Sequence, residues 1–174
     1  MNIYPSFSDI RNHLSHKFFT LRTHARRESL WARLMGRNTE LALFPEEAPE
    51  KSPNRRFTGT EEIRVEQIVG TLNRRGDFDH RFRPVNKHLC ERWINVYLSL
   101  EREGWSPILV HKVGENYYVE DGHHRVSIAQ ALGMTFIPAR VWEYPCLEKE
   151  PQRKGHPIPC PELSSANAYA GVAD

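Results

Sequence analysis

Residues 117–125 read Tyr117-Tyr118-Val119-Glu120-Asp121-Gly122-His123-His124-Arg125, and the pattern changes character midway. Tyr117 to Glu120 are aromatic, β-branched or alternating, as strands prefer. Val126-Ser127-Ile128-Ala129-Gln130-Ala131-Leu132-Gly133 predicts a short helix with Ile128, Ala129 and Leu132 on one face and a glycine at its stop. A glycine at the entry of such a helix lets a ligand approach the backbone. The free N–H groups and positive dipole end of the first turn then face that ligand. Two imidazoles and a guanidinium beside those amides suit phosphate or another oxyanion. Each residue also has a plainer reading: Asp121 as the helix N-cap, Asp-Gly as a turn, one histidine solvated and the other packed under the sheet. Strand, Asp-Gly, His-His-Arg and stopped helix together favour an anion site.

The surrounding chain has 174 residues, 39% of them hydrophobic, and a formal net charge of +2. Its mean hydropathy is −0.62. That length suffices for one domain with a core, plus extensions. No apolar run approaches a membrane span, and the N-terminus lacks the basic-then-apolar layout of a secretory signal. Cys90, Cys146 and Cys160 are odd in number and lack metal-type spacing. A cytoplasmic, reducing location without a membrane partner is the expectation. Residues 1–40 carry seven Lys or Arg against three Asp or Glu, a basic arm able to meet phosphates, acidic partners or water.

The pattern divides into a basic helical extension over 1–44, a linker over 45–60, a domain over 61–144 and a Pro-rich irregular tail over 145–174. Leu14, Phe18, Leu21 and Ala25 recur at helical spacing, and Leu30, Trp31, Leu34 and Met35 continue the stripe. His13 and His16 stand three apart without an acidic or Cys companion, which favours a solvated face over a metal site. Pro45, Pro49, Pro53 and Gly59 mark the linker. Ile63 and Val65 alternate like a strand, and Ile68 to Leu72 follow as a short apolar piece before a charged loop, 73–84. Residues 87–103 predict an amphipathic helix ended by Gly104. Strands follow at 108–110, 117–120 and 136–141, with a turn at 114–116. The class is α+β, a small mixed sheet with packed helices.

In this order, Pro107-Ile108-Leu109-Val110, Tyr117 to Arg125, Ala131-Leu132-Gly133 and Ile137-Pro138-Ala139 resemble the ParB/sulfiredoxin superfamily over about residues 61–142. His123 stands where sulfiredoxins carry a reactive Cys. The Glu of the chromosome-partitioning ParB motif is missing, and only a Pro-rich tail follows Tyr144 where those proteins have a helix-turn-helix module. The Asp-Gly-His-His-Arg sequence matches the free serine kinase type.

The resemblance implies a nucleotide (ATP, ADP or CTP), with magnesium, held by Asp121, Gly122, His123, His124 and Arg125. Gly122 gives backbone access, the two histidines donate to phosphate oxygens, and Arg125 pairs with phosphate or braces the site. Arg74 and Arg75 then reach phosphates, and Asp77 or Asp79 holds magnesium or acts as base toward a small hydroxyl substrate, with His124 also in a catalytic role. The leading expectation is phosphoryl transfer, as kinase or NTPase. A DNA-binding or nuclease accessory protein using Arg22, Arg26, Arg27 and Arg33 stands second, and a non-catalytic nucleotide switch third. A metal site built on His80, His123, His124 and Asp121 ranks lower, because adjacent helical residues point about 100° apart. Oligomeric state stays open.

Overall fold

The computed structural model describes residues 6–45 and 55–144. Helix α1 (Phe7–Leu34) starts at Ser6, whose hydroxyl accepts from the Asp9 N–H while the Asp9 carboxylate accepts from the Ser6 N–H. That reciprocal cap satisfies two otherwise orphaned donors. The strands are β1 (Ala42–Leu43), β2 (Arg56–Arg64), β3 (Ile68–Thr71), β4 (Ile108–Val113), β5 (Asn116–Asp121) and β6 (Phe136–Glu143). Helices α2 (Cys90–Glu103) and α3 (His123–Leu132) complete the set. The sheet order is β1-β3-β5-β4-β6-β2. The β4–β5 and β2–β6 pairs are antiparallel and the other three parallel, so the expected α+β class with a mixed sheet is what the chain forms. No helix among the described residues is long and apolar enough to cross a membrane.

Alternation along the central strands sends Ile108, Val110, Tyr117, Val119, Ala139 and Val141 into one core with Trp93, Ile94, Val126 and Ile128 from the helices. Trp93 has no exposed surface, and its indole N–H donates to Ser127 Oγ at 3.1 Å, joining α2 to α3. Buried aromatic donors need such a partner. At Gly70 a Cβ would lie 2.3 Å from the Ala42 carbonyl oxygen, so this close approach of β1 to β3 requires glycine.

Three boundaries differ from the sequence pattern. Residues 56–60 are strand, not linker: β2 pairs with β6 from Arg56 onward. Arg56-Phe57-Thr58-Gly59-Thr60 shows no apolar periodicity because that stretch of β2 is largely exposed. The segment 1–44 is no detached extension, since Leu14 and Phe18 of α1 and Leu41 belong to the domain core and β1 adds a strand to the sheet. The loop 73–84 is charged but anchored, with Phe78 and Phe82 buried beneath it. The central part of the linker, 46–54, and the tail, 145–174, lie outside the described residues.

Phe18 is fully buried with its ring 5.9 Å from that of Trp93. Phe18→Ala should therefore cost about 3–5 kcal/mol, read as a fall in urea midpoint at unchanged slope. A loss under ~1 kcal/mol would mean that α1 is only appended.

Candidate functional site

The end of β5 and the start of α3 are separated by one residue, Gly122, whose φ is 105°. It is buried against β4: a Cβ there would meet Ile108 Cγ2 at 2.5 Å and the Arg125 guanidinium carbon at 3.2 Å. Glycine is thus required twice, by backbone conformation and by space. Gly122 is itself the N-cap and no side chain caps the helix. Asp121 does not fill that place, because its carboxylate pairs with Arg125 at 2.6 Å. The first N–H groups of α3 are left without a side-chain acceptor and open toward a cavity of about 680 Å³.

His123 is nearly buried, and its Nε2 lies 2.7 Å from Thr71 Oγ1. That hydroxyl oxygen also accepts the backbone N–H groups of Asn73 (3.2 Å) and Arg74 (3.0 Å). Both lone pairs are used, so the hydroxyl proton goes to Nε2. The ring proton of neutral His123 therefore sits on Nδ1. Thr71 thus does two jobs: it starts the loop after β3 and sets the histidine tautomer.

Burial, with the nearby Arg74 charge second, pulls the pKa of His123 down to about 4. His124 behaves alike, pulled to about 4 by burial, then by Arg74 and Arg92. Both rings are neutral at pH 7. The His124 Nδ1 is buried without a protein partner, an orphan that a bound group or water would answer. Phe78 holds both rings from behind, stacked on His123 at 6.1 Å and edge-on to His124 at 5.4 Å.

The cavity brings together Arg74, Asp121, Gly122, His123, His124 and Arg125 among the residues expected from the sequence. Arg74 is half exposed and pairs with Asp77 at 3.2 Å; Asp77 itself is not among the lining residues, and its other oxygen accepts from the Asn86 amide at 3.2 Å. Arg125 braces rather than grips. Its guanidinium donates to the carbonyl oxygens of Ser106 and Pro107, to Ser106 Oγ and to Asp121.

Two expected residues lie elsewhere. Arg75 pairs with Glu40 at 2.6 Å and lines a different hollow. Asp79 lines that hollow as well, and its carboxylate is nearly buried and fully used. It accepts the N–H groups of Arg81 and Arg83 and the Arg83 guanidinium, which also holds Glu28. Asp79 is a loop staple. Arg22 of the basic arm is likewise committed, donating from Nε to the Val85 carbonyl at 2.9 Å.

The structure adds residues that the sequence pattern left out. His88, in the turn that precedes α2, and Arg92, in the first turn of α2, line the cavity, and Arg92 has no ion-pair partner among the described residues. Their spacing of four on the polar face of an amphipathic helix was the available signal. Glu120 lines it from the end of β5. One Glu120 oxygen accepts from buried His111 Nε2 at 2.7 Å, and His111 Nδ1 lies 2.9 Å from Tyr144 Oη. One Glu120 oxygen is thereby fixed against His111, and the side chain is 39% exposed. Sequence separations of nine and 33 hide this triad from any local pattern. Among the described residues no three His, Cys, Asp or Glu side chains come together to hold a metal ion by themselves. A magnesium ion would fit only as it does with phosphate ligands, through one carboxylate, Asp77 or Glu120, plus ligand oxygens.

The cavity lining thus combines uncapped helix amides, two neutral imidazoles and unpaired guanidinium charge, groups that suit an oxyanion. No family model matches the sequence. No curated protein matches it either. Among solved structures, the chain is similar to sulfiredoxin from Arabidopsis thaliana at 25% identity, over 47% of this chain and 82% of that one, with a TM-score of 0.36.

Proposed function

We propose that this chain binds a nucleotide or a related phosphate compound at the amino end of α3, as a ParB/sulfiredoxin-superfamily protein, and that phosphoryl transfer is its chemistry. The observation carrying the reading is the uncapped start of α3 opening on a cavity lined by Arg74, Arg92 and the neutral histidines. A cavity of about 680 Å³ falls within the range of small-molecule sites. Among the described residues sulfiredoxin-type thiol chemistry has no support: His123 occupies the motif, and Cys90 is a buried core residue whose thiol pKa burial pushes up.

Each group has a distinct role in this reading. The α3 amides and the Nδ1–H of His123 hold phosphate oxygens, Arg74 and Arg92 answer their charge, and Gly122 lets them come close. Arg125 fixes the turn through the Ser106 and Pro107 carbonyls. Asp77, paired with Arg74, and Glu120 are the carboxylates this reading assigns to take a proton from an acceptor hydroxyl or to hold magnesium against the phosphates, where positioning and charge do most of the work.

Thermal shift with ATP, ADP, CTP and sulfate, with and without magnesium, tests the binding. A compound at 100 times its dissociation constant should stabilise the fold by about 2.7 kcal/mol. Arg74→Ala and Arg92→Ala should each weaken binding about tenfold and leave the unliganded melting temperature within a degree or two. Arg125→Ala should instead lower that temperature, since it removes the brace on the Ser106 and Pro107 carbonyls. If no compound stabilises the wild type, or if neither arginine variant alters binding, the reading fails.

A bound dianion favours the imidazolium forms and so raises the low histidine pKa values. Binding therefore takes up protons between neutrality and about pH 4. Sulfate does not titrate in that window. Its affinity should rise steadily from pH 7 to pH 5, with proton uptake visible by calorimetry in buffers of different ionisation enthalpy. A flat profile would separate the histidines from the anion.

For chemistry, Asp77→Asn and Glu120→Gln should abolish magnesium-dependent product formation from ATP or ADP while nucleotide binding persists. Asp79→Asn should behave differently, losing about 3–5 kcal/mol of stability because it breaks a buried charge pair. Wild-type levels of turnover in both Asp77→Asn and Glu120→Gln would remove the carboxylates from the mechanism and favour a non-catalytic nucleotide switch.

A further inference from the structure

Behind the 74–79 loop lies a second hollow of about 300 Å³, between that loop and the outer half of α1. Its walls carry three guanidiniums, from Arg26 and Arg33 two turns apart on α1 and from Arg75 across the gap. Arg75 is answered by Glu40, and Asp79 is answered by Arg83. Arg26 and Arg33 have no hydrogen-bond or ion-pair partner among the described residues, so two positive charges stay uncompensated at one small opening. The floor is apolar: Ala25 and Phe78 are buried, and Leu30 borders the hollow with 63% of its surface exposed.

Leu30 also belongs to an outward face that the fold leaves uncovered, with Trp31, Leu34 and Met35 each 64–80% exposed. At roughly 100° per residue these four span about 140° of the helix, on the side away from Ala25 and Ala32. The exposed apolar face thus runs directly into a basic hollow.

We propose that this hollow is a second ligand site, distinct from the cavity at α3, which takes a small organic anion with an apolar body, its carboxylate or phosphate between Arg26, Arg33 and Arg75 and its hydrocarbon against Phe78 and Leu30. Planar guanidiniums suit both head groups through paired N–H donors. A bare inorganic anion leaves the apolar floor unused, and a neutral alcohol leaves the arginines unanswered, so the site discriminates against both. The volume, about 300 Å³, lies at the small end of the range of small-molecule sites. Phe78 lines the hollow and packs against His123 and His124, which line the first cavity. An occupant of the hollow therefore touches the ring that positions both histidines.

Isothermal titration of the full chain with octanoate, octyl phosphate, octan-1-ol and inorganic phosphate tests this, on wild type, the double variant Arg26→Ala/Arg33→Ala, and Arg92→Ala as the marker of the first cavity. Octanoate or octyl phosphate should bind the wild type at least tenfold more tightly than octan-1-ol, and the tighter of the two names the head group. The double variant should lose at least tenfold of that affinity, and Arg92→Ala should keep it. Both arginines are exposed on a helix and alanine favours helix, so the double variant should keep the wild-type circular dichroism and melting curve. Octan-1-ol binding as well as the acids would reduce the hollow to a greasy patch. Full affinity in the double variant, loss in Arg92→Ala, or no binding of either amphiphile would overturn the proposal.

Discussion

The left-handed turn at Gly122 sets where everything near the site can stand. β5 ends at Asp121 and α3 begins at His123, so one residue must reverse the backbone while pressed against Ile108. Any Cβ would collide there, and any L side chain would be strained at that φ. The turn fires α3 directly off the strand end, so its first amides and both histidines face the cavity. Arg125, one turn in, locks the geometry by binding the chain that leads into β4. Conformation, space and hydrogen bonding thus converge on five residues.

Around that turn the polar interior is answered group by group. The Thr71 hydroxyl serves two amides and one imidazole. Asp79 serves two amides and Arg83. His111 is bonded at both ring nitrogens. Among the described residues only His80 Nδ1 and His124 Nδ1 are buried side-chain atoms without a partner. An unanswered buried donor or acceptor costs about 1–3 kcal/mol. At His124 that cost falls on the cavity wall, where a ligand can relieve it.

Much of this was legible in the residues. Alternation marked β4, β5 and β6, the 3.6-residue period marked α2 and α3, and Asp-Gly-His-His-Arg marked the strand-to-helix junction that borders the cavity. The resemblance added the nucleotide and the kinase-type reading, and with them the roles given to the 74–79 loop. That loop divided in a way its sequence could not disclose. Adjacent residues face opposite hollows, so Arg74 joins the site while Arg75 and Asp79 hold the loop to Glu40 and Arg83. The first half of β2 was hidden because an exposed strand needs no apolar period. The core role of α1 was hidden because a helical stripe does not say what it packs against. Glu120, His111 and Tyr144 meet only through strand pairing, which no local window contains.

The tautomer of His123 is where fold and function meet, because Thr71 can set it only if the whole turn is built as described. Long-range 15N–1H correlation spectra of ring-labelled protein at pH 7 read it directly, before and after addition of sulfate. The account predicts a neutral ring protonated at Nδ1 in the free protein, with the Nδ1 resonance moving when sulfate binds. A ring protonated at Nε2, or an Nδ1 signal unmoved by saturating sulfate, would contradict it.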